Sequence, residues 1–362
     1  MLLTAITFLV ILTILVLIHE LGHFLVARWV GVHVEEFGLG LPPQIWGKKI
    51  GKTIYSLNWL PIGGFVRLAG EDQEPKASTG FTQKTVKQFF WARSKKERSL
   101  ILIAGVVMNF ALAVAITAGL LVTGVKEPSG RVHVERVVSG SPAEKAGLLE
   151  GDILLSIASS DRLPKSLRLP KELIDVVNAE KGNTVTLSVR RGEQDLALTA
   201  IPRVEVPPGE GPLGVAISDL ELHKYPLSEA PGKALMINLI RAKDMLVSLG
   251  QTVWKLVTLQ KLTADVAGPI GIAQVTGQAV KFGWQAVLEF ASILSLNLAV
   301  LNILPIPALD GGRLLFVFIE KAIGRKVRPA FEKSTHQIGM IILLALIFLV
   351  SINDILRLIR GG

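Results

Sequence analysis

His19 and His23 stand four residues apart and enclose Glu20, Leu21 and Gly22 in an otherwise apolar stretch. On a helix, positions i and i+4 share a face, so both imidazoles can converge on one metal ion. Glu20, between them, can take a proton from an attacking water. In a soluble helix the same five letters are a modest signal, because a chance match or a satisfied histidine pair produces them too. Here residues 9–18 precede the motif with only Thr13 to interrupt the apolar run. An ionisable group at bilayer depth costs roughly 2.5–3.5 kcal/mol on insertion scales, so it is rare without a compensating role. Metal coordination supplies one. The chain contains no cysteine, which excludes thiolate ligands, a cysteine nucleophile and a disulfide framework. Ligands must then be His and carboxylate, a set that suits a catalytic zinc better than a closed structural one.

The second informative run is Asn302-Ile303-Leu304-Pro305-Ile306-Pro307-Ala308-Leu309-Asp310-Gly311-Gly312. Pro305 and Pro307 stop a regular helix, since each removes a backbone donor and clashes with the preceding turn. Irregular backbone at membrane depth is tolerated only where protein buries it or where it lines a wet cavity. Asp310 follows this break. Alone it reads as a turn aspartate before two glycines. Joined to the histidine pair, it completes a three-ligand set that leaves a fourth position for water.

Those residues must be brought level by membrane spans. The 362 residues are half apolar and carry a net charge of +9. The basic residues cluster beside apolar stretches, which is the pattern of membrane topology rather than of nucleic-acid binding. Four stretches, about 1–26, 99–124, 285–306 and 337–356, are long enough to cross a bilayer. The first lacks a basic start and a small-residue cleavage site, so it reads as a retained span and not a signal peptide. Residues 28–98 hold twelve Lys/Arg and 311–336 hold six, a higher density than the nineteen in 125–283. The positive-inside rule therefore places the two shorter loops in the cytoplasm. The first and third spans then both run inward, and Asp310 reaches the depth of His19 and His23.

Residues 131–205 alternate apolar and polar positions in short runs, as in 131–137 and 185–189, which read as strands. Between them, Gly140 to Leu148 reads as a capped short helix with a glycine stop, and Gly151 to Ile157 as the start of another strand. Together they resemble a PDZ domain, a module that binds extended peptides by strand addition. A PDZ fold that only blocks access is the alternative. Gly211 to Val215 reads as a peptide-facing turn in a permuted arrangement. Residues 232–261 carry charges among apolar residues at helical intervals, and they predict either an amphipathic helix on the outer membrane surface or one packed on the PDZ domain. Residues 52–60 and 61–68, with Gly63 and Gly64, predict a hairpin just inside the cytoplasmic border.

Taken together, the helical His-Glu-x-x-His, the PDZ signature and the Asn-x-x-Pro-x-Pro-x-x-Asp-Gly run resemble the site-2 proteases, more narrowly the bacterial intramembrane zinc proteases that cut anti-sigma factors. The resemblance implies that His19, His23 and Asp310 bind one Zn2+ per chain and that Glu20 is the general base. It also implies that Asn302 helps hold substrate and that the hairpin re-enters the membrane beside the site. Pro305, Pro307, Gly63 and Gly64 are expected on the substrate side as well. One PDZ domain stands where the best-known enterobacterial type has two.

The expected architecture is a polytopic α-helical membrane protein of about four transmembrane helices, with a membrane-associated β-hairpin and an inserted α+β PDZ domain. Its divisions are 1–124 with the first two spans and the hairpin, 125–220 the PDZ domain, 221–283 an amphipathic linker, and 284–362 the last two spans. The expected substrates are single-span membrane proteins with a shortened outer portion, either anti-sigma factors or remnant signal peptides. The expected location is the inner membrane, with the active site near the cytoplasm and the PDZ domain on the periplasmic or extracellular side. A zinc transporter and a non-catalytic PDZ scaffold are the rival readings. Transport would need polar ligands along a path across the bilayer, and the second and fourth spans offer almost none.

Overall fold

A computed structural model describes residues 2–71, 86–159, 162–258, 260, 268–327 and 329–359. The chain folds into two compact units, residues 1–120 with 226–362, and residues 121–225.

The first unit is built on long apolar helices. α1 (Leu2–Trp29) carries the histidine motif, and α2 (Lys95–Thr123) follows the hairpin. Four helices are long and apolar enough to cross a membrane: Leu2–Trp29, Lys95–Thr123, Trp284–Ile303 and Ala330–Leu356. Their lipid-sized apolar faces remain exposed, as on Leu3, Ile6, Val10 and Ile14 of α1, because a span turns much of its surface to hydrocarbon.

Between α1 and α2, β1 (Val34–Ile50) and β2 (Thr53–Leu68) form an antiparallel hairpin turning at Gly51-Lys52. Both strands bend, so one strand meets the other twice. Residues 36–39 lie between 64–67 on one side and 54–57 on the other, with 46–50 beyond 54–57. Inside this small sheet, Glu36 accepts from Ser56 Oγ at 2.6 Å and pairs with Arg67 at 3.0 Å. The hairpin is therefore larger than residues 52–68, whose sequence alone predicted it. Its first strand reads poorly because Gly38, Gly40, Pro42 and Pro43 break the alternation.

In the second unit, the strands β3 (Val125–Val137), β4 (Ile153–Ser159), β6 (Val185–Arg191), β7 (Gln194–Ala200) and β8 (Val215–His223) form a sheet in the order β7-β6-β4-β3-β8, and β5 (Arg162–Ser166) pairs with β4. Two helices, α3 (Pro142–Lys145) and α4 (Pro170–Ala179), complete it. Ser141 caps α3 by accepting from the Glu144 N–H at 3.1 Å, as the sequence of that turn predicts. Leu148, Leu154, Leu173, Leu187 and Leu213 are among the fully buried residues of its core.

The chain then returns to the first unit through α5 (Ala230–Val257) and α6 (Pro269–Phe282), followed by α7 (Trp284–Ile303), α8 (Asp310–Ile323) and α9 (Pro329–Ile359). Most of the stretch expected as a linker is thus helix. α5 packs through the buried stripe Ala230, Ala234 and Asn238, with Asn238 donating to Thr117 Oγ1 of α2 at 3.0 Å. α6 is capped by a carboxylate from α9, since Gly271 N–H donates to Asp354 Oδ2 at 2.9 Å. Residues 259 and 261–267 of that stretch lie outside the described residues.

One ion pair makes the second unit sensitive to acid. Arg191 grips Asp152 with Nε at 2.8 Å and Nη2 at 2.7 Å, and Leu149 N–H donates to the same carboxylate at 2.9 Å. Burial pushes the Asp152 carboxyl up, but the Arg191 guanidinium and the Leu149 N–H together hold it below the usual value. A carboxyl depressed on folding adds stability above its unfolded pKa, near 3.9, and loses it as pH falls through the lower native value. Asp152→Asn is expected to destabilise this unit by about 1–2 kcal/mol at pH 7, with the gap from wild type closing toward pH 3. Thermal unfolding of the full chain across that range measures it, and a gap independent of pH would contradict this role.

Candidate metal centre

The break between α7 and α8 brings distant parts of the chain to one point. Asp310, in the first turn of α8, places Oδ2 3.0 Å from His19 Nε2 and 3.2 Å from His23 Nε2, and the two Nε2 atoms lie 3.2 Å apart. Among the described residues this is the group of histidine and acidic side chains able to hold a metal, with all ligand atoms within 4.8 Å of one another. The Asp310 oxygen is buried and no donor meets it with hydrogen-bond geometry. Three electron-pair donors thus converge on one point. Zinc fits this set, because tetrahedral bonds of about 2.1 Å keep ligand atoms roughly 3.4 Å apart and the ion neutralises the carboxylate.

α2 shapes the histidine face. His23 Nδ1 lies 2.8 Å from the Ile101 carbonyl, so its N–H donates there and Nε2 is left free to ligate. Gly22 and Gly105 let the helices close. A β-carbon on Gly22 would sit 2.5 Å from the Ala104 carbonyl oxygen, and one on Gly105 would sit 2.7 Å from His19 Cε1 and still closer to His23 Nε2. Both glycines act on partners that are distant in sequence, Gly22 on Ala104 and Gly105 on the two histidines.

The loop carrying Asp310 is held just as closely. A β-carbon on Gly311 would strike the carbonyls that end α7, and one on Gly312 would strike Ile306. Pro307 packs on Gly339 of α9. Ala308 takes a left-handed φ of 78°, and its N–H donates to His336 Nδ1 at 3.0 Å. In the sequence His336 is a lone histidine with no second histidine three or four residues away. No periodic signal reports its role, because the contact joins a loop to a helix 28 residues away.

Glu20 is half-buried beside the pair. Gly64 packs toward it, with the Glu20 Cγ 3.7 Å and Val16 Cγ1 3.9 Å from the position of a β-carbon, and Gly63 lies over Val16. Residues 64–67 pair with 36–39 on one side only, so among the described residues they form a free sheet edge next to Glu20. Asn302 occupies the last turn of α7, half-buried, and Pro305 is exposed in the break. The structure thus joins His19, His23 and Asp310 directly, sets Gly63 and Gly64 against their helix, and uses Pro307 to anchor the break.

The second unit has its own cleft. About 420 Å³ lies between α4 and β8, lined by Leu173, Val177, Lys181, Leu213, Val215 and Ile217.

The profile of peptidase family M50 matches residues 7–346. The chain belongs to this family. A relative from Clostridium perfringens is 35% identical over 348 residues, covering 94% of this chain and 95% of its own. The regulator of sigma-W protease RasP of Bacillus subtilis is 30% identical over 429 residues, covering 98% of this chain and 99% of its own. The zinc metalloprotease RasP of Shouchella clausii is 29% identical, covering 98% and 99%. Among solved structures, the PDZ domain of an SdrC-like protein from Listeria monocytogenes is 23% identical, covering 26% of this chain and 95% of that one, at a TM-score of 0.22. The peptidase family agrees with the resemblance that the motifs carry.

The closeness of Gly105 to both imidazoles gives a direct test on this peptidase. Gly105→Val is expected to weaken metal binding at least tenfold, about 1.4 kcal/mol. Gly119→Val, where a β-carbon on the same helix meets open space, is expected to leave it unchanged. Metal content against a graded chelator reads both, and equal retention in the two variants would remove Gly105 from this role.

Proposed function

We propose that this chain is a zinc-dependent intramembrane endopeptidase that hydrolyses a peptide bond in or near the transmembrane segment of a single-span substrate. The observation that carries this reading is the convergence of His19, His23 and Asp310 beside Glu20, with both histidines and Glu20 on a helix long and apolar enough to cross a membrane. His19, His23 and Asp310 hold the ion. When bound, zinc polarises the scissile carbonyl and acidifies water. Glu20 takes the proton of the attacking water and passes it to the leaving amine.

The substrate must be unwound before this chemistry can reach it, because a helical peptide bond in lipid is shielded by its own side chains and hydrogen bonds. Residues 64–67 offer a free edge on which an extended segment can add as a strand. Gly63 and Gly64 keep side chains out of the space between that edge and α1. Asn302 and Pro305, at the break beside Asp310, are assigned to the same segment, and Pro307 holds the break in shape.

The density of Lys and Arg in residues 28–98 and 311–336 supports a metal site near the cytoplasmic side and residues 121–225 outside. That unit is read as a PDZ domain whose cleft between α4 and β8 takes a peptide or screens bulky substrates. By analogy with the sigma-W regulator, the substrates are anti-sigma factors or remnant signal peptides whose outer portion has already been shortened. Transport is disfavoured by the way the polar groups of the spans are used. Ser295 Oγ donates to the Asn109 carbonyl at 2.8 Å and Ser292 Oγ to the Ala113 carbonyl at 3.0 Å, while Thr117 Oγ1 accepts from Asn238 of α5. These groups tie helices together rather than lining a path.

Glu20→Gln separates binding from chemistry. The variant is expected to keep one zinc per chain while cleavage of a single-span model substrate in vesicles falls about 10²–10⁴-fold. Cleavage at the wild-type rate with zinc in place would overturn the assignment of the base, and absence of zinc from the wild type would overturn the metal reading.

A further inference from the structure

Asn109 of α2 is completely buried, and its amide nitrogen lies 3.4 Å from His19 Nδ1. In that orientation the Asn109 side-chain oxygen meets no donor. Nitrogen and oxygen of an amide are assigned from their surroundings, so the partner of His19 is decided by chemistry. His19 turns Nε2 toward Asp310 and His23. A neutral imidazole that offers Nε2 to a cation carries its proton on Nδ1, and a proton on Nδ1 needs an acceptor. An amide NH2 there would set two donors face to face.

We propose that Asn109 is a positioning residue for the metal site, with its side-chain oxygen accepting the Nδ1–H of His19. The turned amide gives the oxygen the donor it otherwise lacks. α2 then treats the two histidines in parallel. The Ile101 carbonyl accepts from His23, the Asn109 amide accepts from His19, and Gly105 lies midway, clearing space for both rings. The positions 101, 105 and 109 are four residues apart, so they form one stripe on the helix. Asn109 is itself held in place, because Ser295 Oγ of α7 donates to its backbone carbonyl at 2.8 Å. The second span is therefore part of the active-site machinery even though it contributes no ligand.

This inference rests on the metal reading above, and its test keeps the two apart. Zinc affinity of the purified full-length protein is measured by chelator competition for wild type, Asn109→Ala, Asn109→Leu, Asn109→Asp and His19→Ala. Loss of an outer partner of a metal-bound histidine weakens metal binding about 10–100-fold, and that loss is expected in Asn109→Ala and Asn109→Leu. Asn109→Asp, whose carboxylate accepts but cannot donate, is expected to bind zinc close to wild type. Wild-type affinity in Asn109→Leu, or an Asn109→Asp variant as weak as Asn109→Ala, overturns the proposal. Unchanged affinity in His19→Ala overturns the metal reading instead. A second measurement needs only the wild type. With cobalt in place of zinc, two hyperfine-shifted imidazole N–H protons that exchange slowly with D2O are expected, one held by Ile101 and one by Asn109. A single slowly exchanging proton would show that His19 has no acceptor, and would overturn the proposal even if every variant failed to fold.

Discussion

A break between two helices, Ile303 ending one and Asp310 starting the next, is the constraint on which this structure depends. Asp310 can reach the histidine pair only if the chain leaves α7 and restarts as α8, and the peptide groups released there need new partners. They are met from within. Ile306 N–H donates to the Leu304 carbonyl at 2.7 Å, Leu309 N–H to the Ile306 carbonyl at 3.2 Å, and Gly312 N–H to the Leu309 carbonyl at 3.0 Å. The Ala308 N–H, carried by the one non-glycine residue at positive φ among those described, goes to His336. Glycines at 311, 312 and 339 then let the helices close over the loop. A side chain at any of them would open a cavity of unsatisfied backbone.

Position along the helices matters as much as the break. Asp310 begins α8, and Glu320 lies ten residues on, about 15 Å along an α-helix. Glu320 is buried and pairs with the buried Arg98 at the start of α2 at 2.9 Å. It also accepts from the Val327 N–H through its second oxygen at 3.2 Å, while Lys95 holds its carbonyl at 2.9 Å. A buried ion pair contributes little net stability, but it permits few alternative registers, since sliding α8 would leave a buried charge alone. Arg313 pairs with Glu71 at the end of the hairpin, adding a second tie nearer to Asp310. The carboxylate is thus set to the height of the histidines by charges that lie outside the site.

Much of this was visible in the residues themselves, and the exceptions share a cause. The spans expected at 1–26, 99–124 and 285–306 lie within a few residues of Leu2–Trp29, Lys95–Thr123 and Trp284–Ile303, because long apolar runs have little choice in lipid. The histidine motif and the proline break are local patterns, and they report local chemistry. Asn109, Gly105 and His336 carry no such pattern. A single amide in an apolar helix, a glycine among many and a lone histidine take their meaning from helices that meet only after folding. The first hairpin strand was hidden for a related reason. Its glycines clear space for neighbours, as at Gly38 against the Phe65 and Ser56 side chains and Gly40 against the Leu60 carbonyl, and they erase the alternation by which a strand is recognised.

The hairpin shows how one small sheet can present two unlike edges. On the side of residues 44–50, Ile45, Trp46 and Ile50 are exposed, and Trp59 and Leu60 of the paired strand are exposed as well. In water such an edge would invite aggregation. Beside spans whose own apolar faces are bare, lipid is the medium that suits it, with Lys48, Lys49 and Lys52 supplying the charges that anchor at a membrane surface. The opposite edge, residues 64–67, is short and glycine-led, and it lies along the helix that bears Glu20. Unpaired backbone groups at that place are costly unless something occupies them, and under the function proposed above an extended substrate would be that occupant. Under that function, the cost of unwinding a substrate helix and the cost of leaving this edge bare would offset each other. That balance would give the sheet a physical reason to sit beside His19, His23 and Asp310 rather than elsewhere in the fold.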